Sequence, residues 1–265
     1  MRGLAATLVL GAAIMSGTPA RAETVMLYAA GSLNTALSEA ARAFETATGN
    51  TVTTKFGPSG LLRKEIADGA KPGLFASANM EHPRSLADAG KSGPVTMFAR
   101  NKLCALVKPG LQVDSASLLA RMLDPGVKLG TSTPKADPSG DYAFEAFAKA
   151  ESVKPGAKAA LEAKAQKLTG AADSAKPPAG KSVYGWHVAE GRADIFLTYC
   201  TNALAAQKQN TGQQIVELPA QLSVGADYGL TIINGASAET GKLTQFILSP
   251  QGQAILTRHG FASPK

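Results

Sequence analysis

Side chains that hold metals or attack substrates are scarce in this chain. It has two cysteines, three histidines and one tryptophan in 265 residues. His82, His187 and His259 lie far apart, and neither Cys104 nor Cys200 has a nearby partner, so the spacing of a zinc site is missing. No cofactor and no direct protein ligand to a metal are expected. Cationic runs are missing too. The 27 Lys and Arg are scattered, with nothing longer than Arg63-Lys64 and no interleaved aromatics, which argues against a nucleic-acid surface despite the net charge of +7. There is no internal repeat. The apolar run at residues 4–15 is too short for a membrane span, which takes about 20 residues.

That run belongs instead to a secretory leader. Arg2 supplies a thin positive start, and Ala20-Arg21-Ala22 is a small-x-small cleavage site. Residues 1–22 are expected to be removed after Ala22, leaving a soluble protein outside the cytoplasm. An oxidising compartment permits a Cys104–Cys200 disulfide. Both cysteines sit in apolar, strand-like stretches, so two buried thiols are equally compatible, and spacing does not decide between them. Hydrophobic residues at 45% and charged residues at 18% describe an ordinary globular chain.

Apolar runs alternate with helical periodicity throughout, which predicts α/β sheets with mainly parallel strands. The strands are read at residues 25–30, 51–56, 74–78, 97–99, 103–107, 127–130, 193–199, 215–218 and 227–233. Helices are read after Ser32 and Ser59, at 80–89, around Leu118–Leu123, from Tyr142, at 157–168 and 183–190, and at 239–248 and 251–259. Trp186 is read as a core residue and His187 as a surface one.

Two junctions organise this pattern. The first strand stops at Gly31-Ser32, and Leu33, Ala36, Leu37, Ala40, Ala41 and Phe44 follow at helical spacing. The second stops at Gly57-Pro58-Ser59-Gly60 and a helix again follows. A serine where a helix begins either caps that helix or, with the free N–H groups behind it, faces an anion. Two such junctions on parallel neighbours would set both hydroxyls at one carboxyl edge. A third junction lies at Pro138-Ser139-Gly140, and a helix beginning near Val183 aims a fourth set of N–H groups.

In Tyr28-Ala29-Ala30-Gly31-Ser32-Leu33, Phe56-Gly57-Pro58-Ser59-Gly60, Leu74-Phe75-Ala76-Ser77-Ala78, Pro138-Ser139-Gly140-Asp141-Tyr142-Ala143 and Ile195-Phe196-Leu197-Thr198-Tyr199, the chain resembles the periplasmic molybdate-binding proteins of ABC transporters. The segments occur in that family's order over nearly the whole chain. The resemblance implies the fold of type II periplasmic binding proteins: two α/β lobes joined by two crossover strands. Lobe 1 would comprise residues 23–102 and 226–265, and lobe 2 residues 103–225. It implies a monomeric protein, not an enzyme, that delivers molybdate or tungstate to a membrane permease. The oxyanion would be held by Ser32, Ser59, Ser139, Val183 and Tyr199, with Ser139 and Val183 acting through the backbone and molybdenum present only inside the anion.

Such a dianion has only acceptors, so hydroxyls and N–H groups suit it and carboxylates do not. Asp137 and Asp141 flank Ser139 and are therefore expected to point away. The chain departs from the family pattern at Gly73, Asn79, Cys200 and Gly229. Two other functions compete. One is capture of a different oxyanion such as sulfate. The other is a secreted serine hydrolase, although neither serine has the Gly-x-Ser-x-Gly elbow.

Overall fold

The computed structural model describes residues 23–264, so the expected leader lies outside the described residues. The chain opens with strand β1, Thr24–Ala30, and a single 3₁₀ turn at Gly31–Leu33 that leads into helix α1, Asn34–Thr48. Alternate residues of β1 are buried, as are Ala36, Leu37, Ala40, Ala41 and Phe44 of α1, so the periodic apolar residues face one core. Gly49 ends α1 in the left-handed conformation, φ 74°, returning its N–H to Glu45. Strand β2 (Thr51–Gly57), α2 (Ser59–Ala67), β3 (Leu74–Ser77) and α3 (Glu81–Asp88) complete a β–α–β–α unit.

Strand β4, Thr96–Val107, then crosses to a second unit. That unit contains α4 (Leu118–Leu123), β5 (Leu129–Ser132), α5 (Pro138–Val153), α6 (Ala157–Lys164), β6 (Gln166–Thr169), α7 (Val183–Ala189), β7 (Ile195–Tyr199), α8 (Cys200–Gln209) and β8 (Gln214–Glu217). Strand β9 (Gly225–Ile232) returns to the first unit, and α9 (Ala238–Leu248) and α10 (Pro250–Arg258) pack there.

The strands run in the order β2-β1-β3-β9-β4-β7-β5-β6, with β8 beside β4. β2, β1 and β3 are mutually parallel, as are β7, β5 and β6, and the antiparallel pairs all involve β4 or β9. β4 pairs with β9 from Thr96 to Lys102 and with β7 from Leu103 to Val107. The partner change marks where the chain passes from one half to the other.

Several elements differ from the expectation. The two short strands at 97–99 and 103–107 are one, because the polar residues between them, Arg100, Asn101 and Lys102, continue the ladder with β9. The helix expected through residue 168 ends at Lys164, and β6 follows as a four-residue edge strand too short to show alternation. Helix α8 was not expected. Its buried face is Thr201, Asn202, Ala203 and Ala206, whose small and polar side chains give little apolar signal. His187 is the buried partner, 1% exposed and stacked on Phe196, whereas Trp186 lies nearer the surface beneath the Arg192 guanidinium at 4.2 Å.

The question left open for the cysteines is answered by a Cys104–Cys200 disulfide, with Cα atoms 4.8 Å apart across 96 residues of sequence. It ties β4 to the first residue of α8, immediately after Tyr199. Closing so long a loop restricts the unfolded chain, by about 2–4 kcal/mol in typical cases. Denaturant unfolding with and without reductant should show a loss of that order for the native chain. The Cys104→Ala/Cys200→Ala double variant should show the lower stability and no response to reductant.

Candidate functional site

At the carboxyl ends of β1 and β2 the ladder pairs Ala30 with Gly57. Ser32 and Ser59 each lie two residues further on, so the two junctions sit at equivalent heights on neighbouring parallel strands. Neither serine caps its own helix. Ser59 is the first residue of α2, and its hydroxyl accepts the Ala78 N–H at 3.1 Å. Ser32 lies in the 3₁₀ turn, and its Oγ is 2.9 Å from the Tyr228 hydroxyl.

Both serines line a cavity of about 130 Å³ between the two halves. From the first half come the ends of β1, β2 and β3, including Ser32, Ser59 and Ala78. From the second come Asp137, Thr169, Val183, Tyr184 and Tyr199. No lysine, arginine or histidine is among the lining residues. Val183 is the first residue of α7, capped by the Ser182 hydroxyl, so its N–H has no acceptor within the helix. Tyr199 ends β7 and donates its hydroxyl to the Ala78 carbonyl at 3.3 Å, across the two halves. Burial pushes the Tyr184, Tyr199 and Tyr228 hydroxyls well above the usual phenol range, so all three remain donors.

The halves meet a second time beside the cavity. Gly60 donates its N–H to the Ala136 carbonyl at 2.9 Å. A Cβ at Gly60 would lie 2.2 Å from the Lys135 carbonyl oxygen, so only glycine permits this approach. Outward, the cavity opens into a wider cleft of about 770 Å³ that shares Gly31, Ser32, Val183 and Tyr184 with it and has Lys181, Lys208 and His259 in its wall. Positive charge therefore stands at the mouth, and inside stand hydroxyls, backbone groups and the one carboxyl of Asp137.

Of the five expected site residues, the structure brings Ser32, Ser59, Val183 and Tyr199 to one cavity. Ser139 is not among the lining residues. It is fully buried, and its N–H is taken at 3.0 Å by the Asp137 carboxylate, which caps α5 from in front of Pro138. This corrects the expectation for the acidic pair. Asp141 does turn away, accepting the Lys135 N–H and lining a different surface, but Asp137 lines the cavity. Desolvation pushes its carboxyl up to about 6, with the Ser139 N–H and the Ser132 hydroxyl pulling the other way.

The structure adds Tyr228, which the sequence reading passed over. It is fully buried and supports the Ser32 hydroxyl, while Asn101 bridges Tyr228 and Thr201 behind it. The departures at Gly73, Asn79, Cys200 and Gly229 lie outside the cavity lining. Gly73 leaves room for Thr240, and Gly229 for Met80 and Pro83. The Asn79 side-chain Oδ1 accepts the His82 N–H at the start of α3.

Residues 25–262 match the family described as bacterial extracellular solute-binding protein, and the chain belongs to that family. An uncharacterized protein of Pasteurella multocida is 34% identical over 209 residues, 78% of this chain and 85% of that one. A molybdate-binding protein of Rhodobacter capsulatus is 31% identical over 148 residues, 55% of this chain and 56% of its own length. Among solved structures, the periplasmic molybdate-binding protein of Azotobacter vinelandii has a TM-score of 0.73 at 20% identity, over 91% of this chain and all of that one. The sulfate-binding protein of Mycobacterium tuberculosis has a TM-score of 0.72 at 19% identity, over 92% and 88%. These likenesses establish the fold, that of the periplasmic binding proteins.

The raised Asp137 carboxyl has a consequence for stability. A carboxyl near 6 in the folded chain and near 3.9 when unfolded binds its proton more tightly in the fold. Its stabilising contribution is therefore complete below about pH 4 and lost as pH rises through about 6, by on the order of 3 kcal/mol. Asn at this position can still cap α5. Unfolding free energies measured from pH 4 to 8 should show wild type losing stability relative to Asp137→Asn across that window. Parallel profiles would contradict the assignment.

Proposed function

We propose that this chain is the solute-capturing component of an ABC transporter. It holds molybdate or tungstate between two lobes, residues 23–102 with 226–265 and residues 103–225, and presents the loaded form to a membrane permease. The observation that carries this reading is the cavity lining. Two serine hydroxyls, a tyrosine hydroxyl and a helix-start N–H converge on a space well below the ~300–1,000 Å³ of organic-ligand pockets, with no cation among them. Directed dipoles of this kind select an oxyanion by the number and placement of its acceptors, whereas a lysine or arginine would favour any polyanion. The cationic cleft mouth supports electrostatic steering of a small anion inward. The leader and the disulfide fit a periplasmic location. The likeness to molybdate-binding proteins, one by sequence and one by fold, supports the choice of anion.

Sulfate is the second reading, favoured by a fold likeness of similar quality. Hydrolysis draws no support. The Ser32 hydroxyl is bonded to Tyr228 and the Ser59 hydroxyl to the Ala78 amide, neither to a histidine, and the His259 ring is paired with Glu39 at 2.7 Å.

Calorimetric titration of the purified protein should give tight binding of molybdate and tungstate and weaker binding of sulfate and phosphate. Ser32→Ala and Ser59→Ala should each weaken molybdate binding by roughly ten- to a hundredfold, the value of a hydrogen bond to a charged group. The melting temperature of the ligand-free protein should change little for Ser32→Ala, where Tyr228 keeps Asn101 as a partner, and should fall for Ser59→Ala, which leaves the buried Ala78 N–H without its acceptor. Equal or tighter sulfate binding would overturn the choice of anion.

Closure follows from the same layout. Donors on both halves meet one anion only when the halves are together, and that differential affinity is what lets a ligand shift the equilibrium. β4 and β9 would absorb the rotation near residues 99–106 and 223–227. Small-angle scattering should show molybdate contracting the wild-type protein. Gly60→Ala, by blocking the approach to Lys135 and Ala136, should reduce both the contraction and the affinity. Tyr199→Phe should do the same through the lost cross-cavity donor. An unchanged distance distribution at saturating ligand, starting from an open protein, would contradict closure.

A further inference from the structure

One residue in the cavity is out of keeping with the rest. Asp137 is the sole carboxyl among the lining residues, and everything else around the space is a hydroxyl, a backbone group or apolar. Its position is built. Its Oδ1 accepts the Ser139 N–H at 3.0 Å, and its own N–H goes to the Thr133 carbonyl at 3.0 Å. Behind it stands Gly170, φ 93°, where a Cβ would fall 2.7 Å from the Asp137 Cβ and 3.3 Å from its Oδ2. The chain is cut back to glycine where the carboxyl packs, and it leaves little room for the side chain to retreat.

An oxyanion without a proton and an ionised carboxylate are both negative and both acceptors. Side by side in a space shielded from water they repel, and neither offers the other a hydrogen. One proton removes the conflict by turning the pair into an O–H···O bond with a charge-assisted acceptor.

Resting on the oxyanion reading above, we propose that the loaded cavity holds one proton between Asp137 and the anion, making Asp137 the residue that couples capture to pH. For molybdate or tungstate the proton comes from solvent: the new bond is Asp137 Oδ–H, and the hydroxyl donates to an anion oxygen. An oxyanion that keeps its own hydroxyl supplies that hydrogen to the ionised carboxylate, and no net proton is taken up.

The groups packed around Asp137 act in both directions, with burial the largest influence and toward the protonated form. Asp141 on α5 adds negative charge. Tyr184 on α7 and Tyr199 at the end of β7 stay neutral. Ser132 at the end of β5 and the Ser139 N–H are the groups that favour the charged form. The Thr169–Gly170 turn brings no ionisable group. Asp137 already titrates near 6 before an anion arrives, and a neighbouring dianion moves it further in the same direction.

The test is calorimetry of the full mature protein with molybdate between pH 6.5 and 8.5, run in buffers of different ionisation enthalpy so that protons taken up are counted directly. Wild type should absorb close to one proton per molybdate at pH 7.5 and above. Its affinity should fall about tenfold per pH unit over the upper part of the range, as linkage to one proton requires. Asp137→Asn, which keeps an amide donor and the helix cap, should absorb none, show a flat profile and bind more tightly than wild type at pH 8.5. Molybdate binding by wild type with no proton uptake and no pH dependence overturns the proposal and leaves the oxyanion reading standing, and that measurement needs no variant to fold. Weaker binding by folded Asp137→Asn at pH 8.5 also overturns it. Absence of molybdate, tungstate, sulfate or phosphate binding at any pH overturns both.

Discussion

The Ala78 backbone is the point on which the site depends. Its N–H is fixed by the Ser59 hydroxyl in the first half, and its carbonyl accepts the Tyr199 hydroxyl from the second. One residue therefore links two of the proposed donors, through the two successive peptide groups that flank its Cα, and holds the halves together at the cavity. Gly60 provides the other near contact, where two backbones approach too closely for any side chain. Both contacts lie at the carboxyl ends of parallel strands, where a switch in sheet order leaves a crevice and where N–H groups at helix starts converge.

Behind these contacts stands a layer that keeps the donors in place. Tyr228 supports Ser32 from β9, one of the two strands that pass between the halves, and the disulfide anchors the residue after Tyr199 to β4, the other. Cavity geometry and crossover geometry are thus coupled through buried neighbours. Ser32 and the residue after Tyr199 are each tied, through one buried neighbour, to a strand that passes between the halves. Charge is arranged in layers: lysines line the outer cleft, and hydroxyls with the one carboxyl of Asp137 line the cavity.

Much of this was legible in the chain. The Ser32 and Ser59 junctions could be read because a strand, a glycine and a periodic helix leave few local alternatives, and their register follows once the strands are parallel neighbours. The parts that escaped share a physical reason. Asp137 stands before Pro138 and caps α5. That it also faces the cavity depends on Gly170, a residue distant in sequence. Tyr228 looks like any buried strand aromatic until Ser32 is placed beside it. The α8 helix hides because its buried face is small and polar, and the disulfide because pairing is set by the β4–β7 ladder rather than by spacing. Local pattern carries the elements. Chemistry that spans the two halves is settled only by their packing.

The central claim is that uncharged donors from both halves hold one oxyanion in this cavity. It is tested most directly by a crystal structure of the protein grown with molybdate, using the anomalous scattering of molybdenum to place the anion without bias. The account predicts a single strong peak in the cavity, with anion oxygens within hydrogen-bond distance of the Ser32, Ser59 and Tyr199 hydroxyls and the Val183 N–H. A peak at the cleft mouth, held by Lys181 or Lys208 with those four groups unengaged, would contradict it.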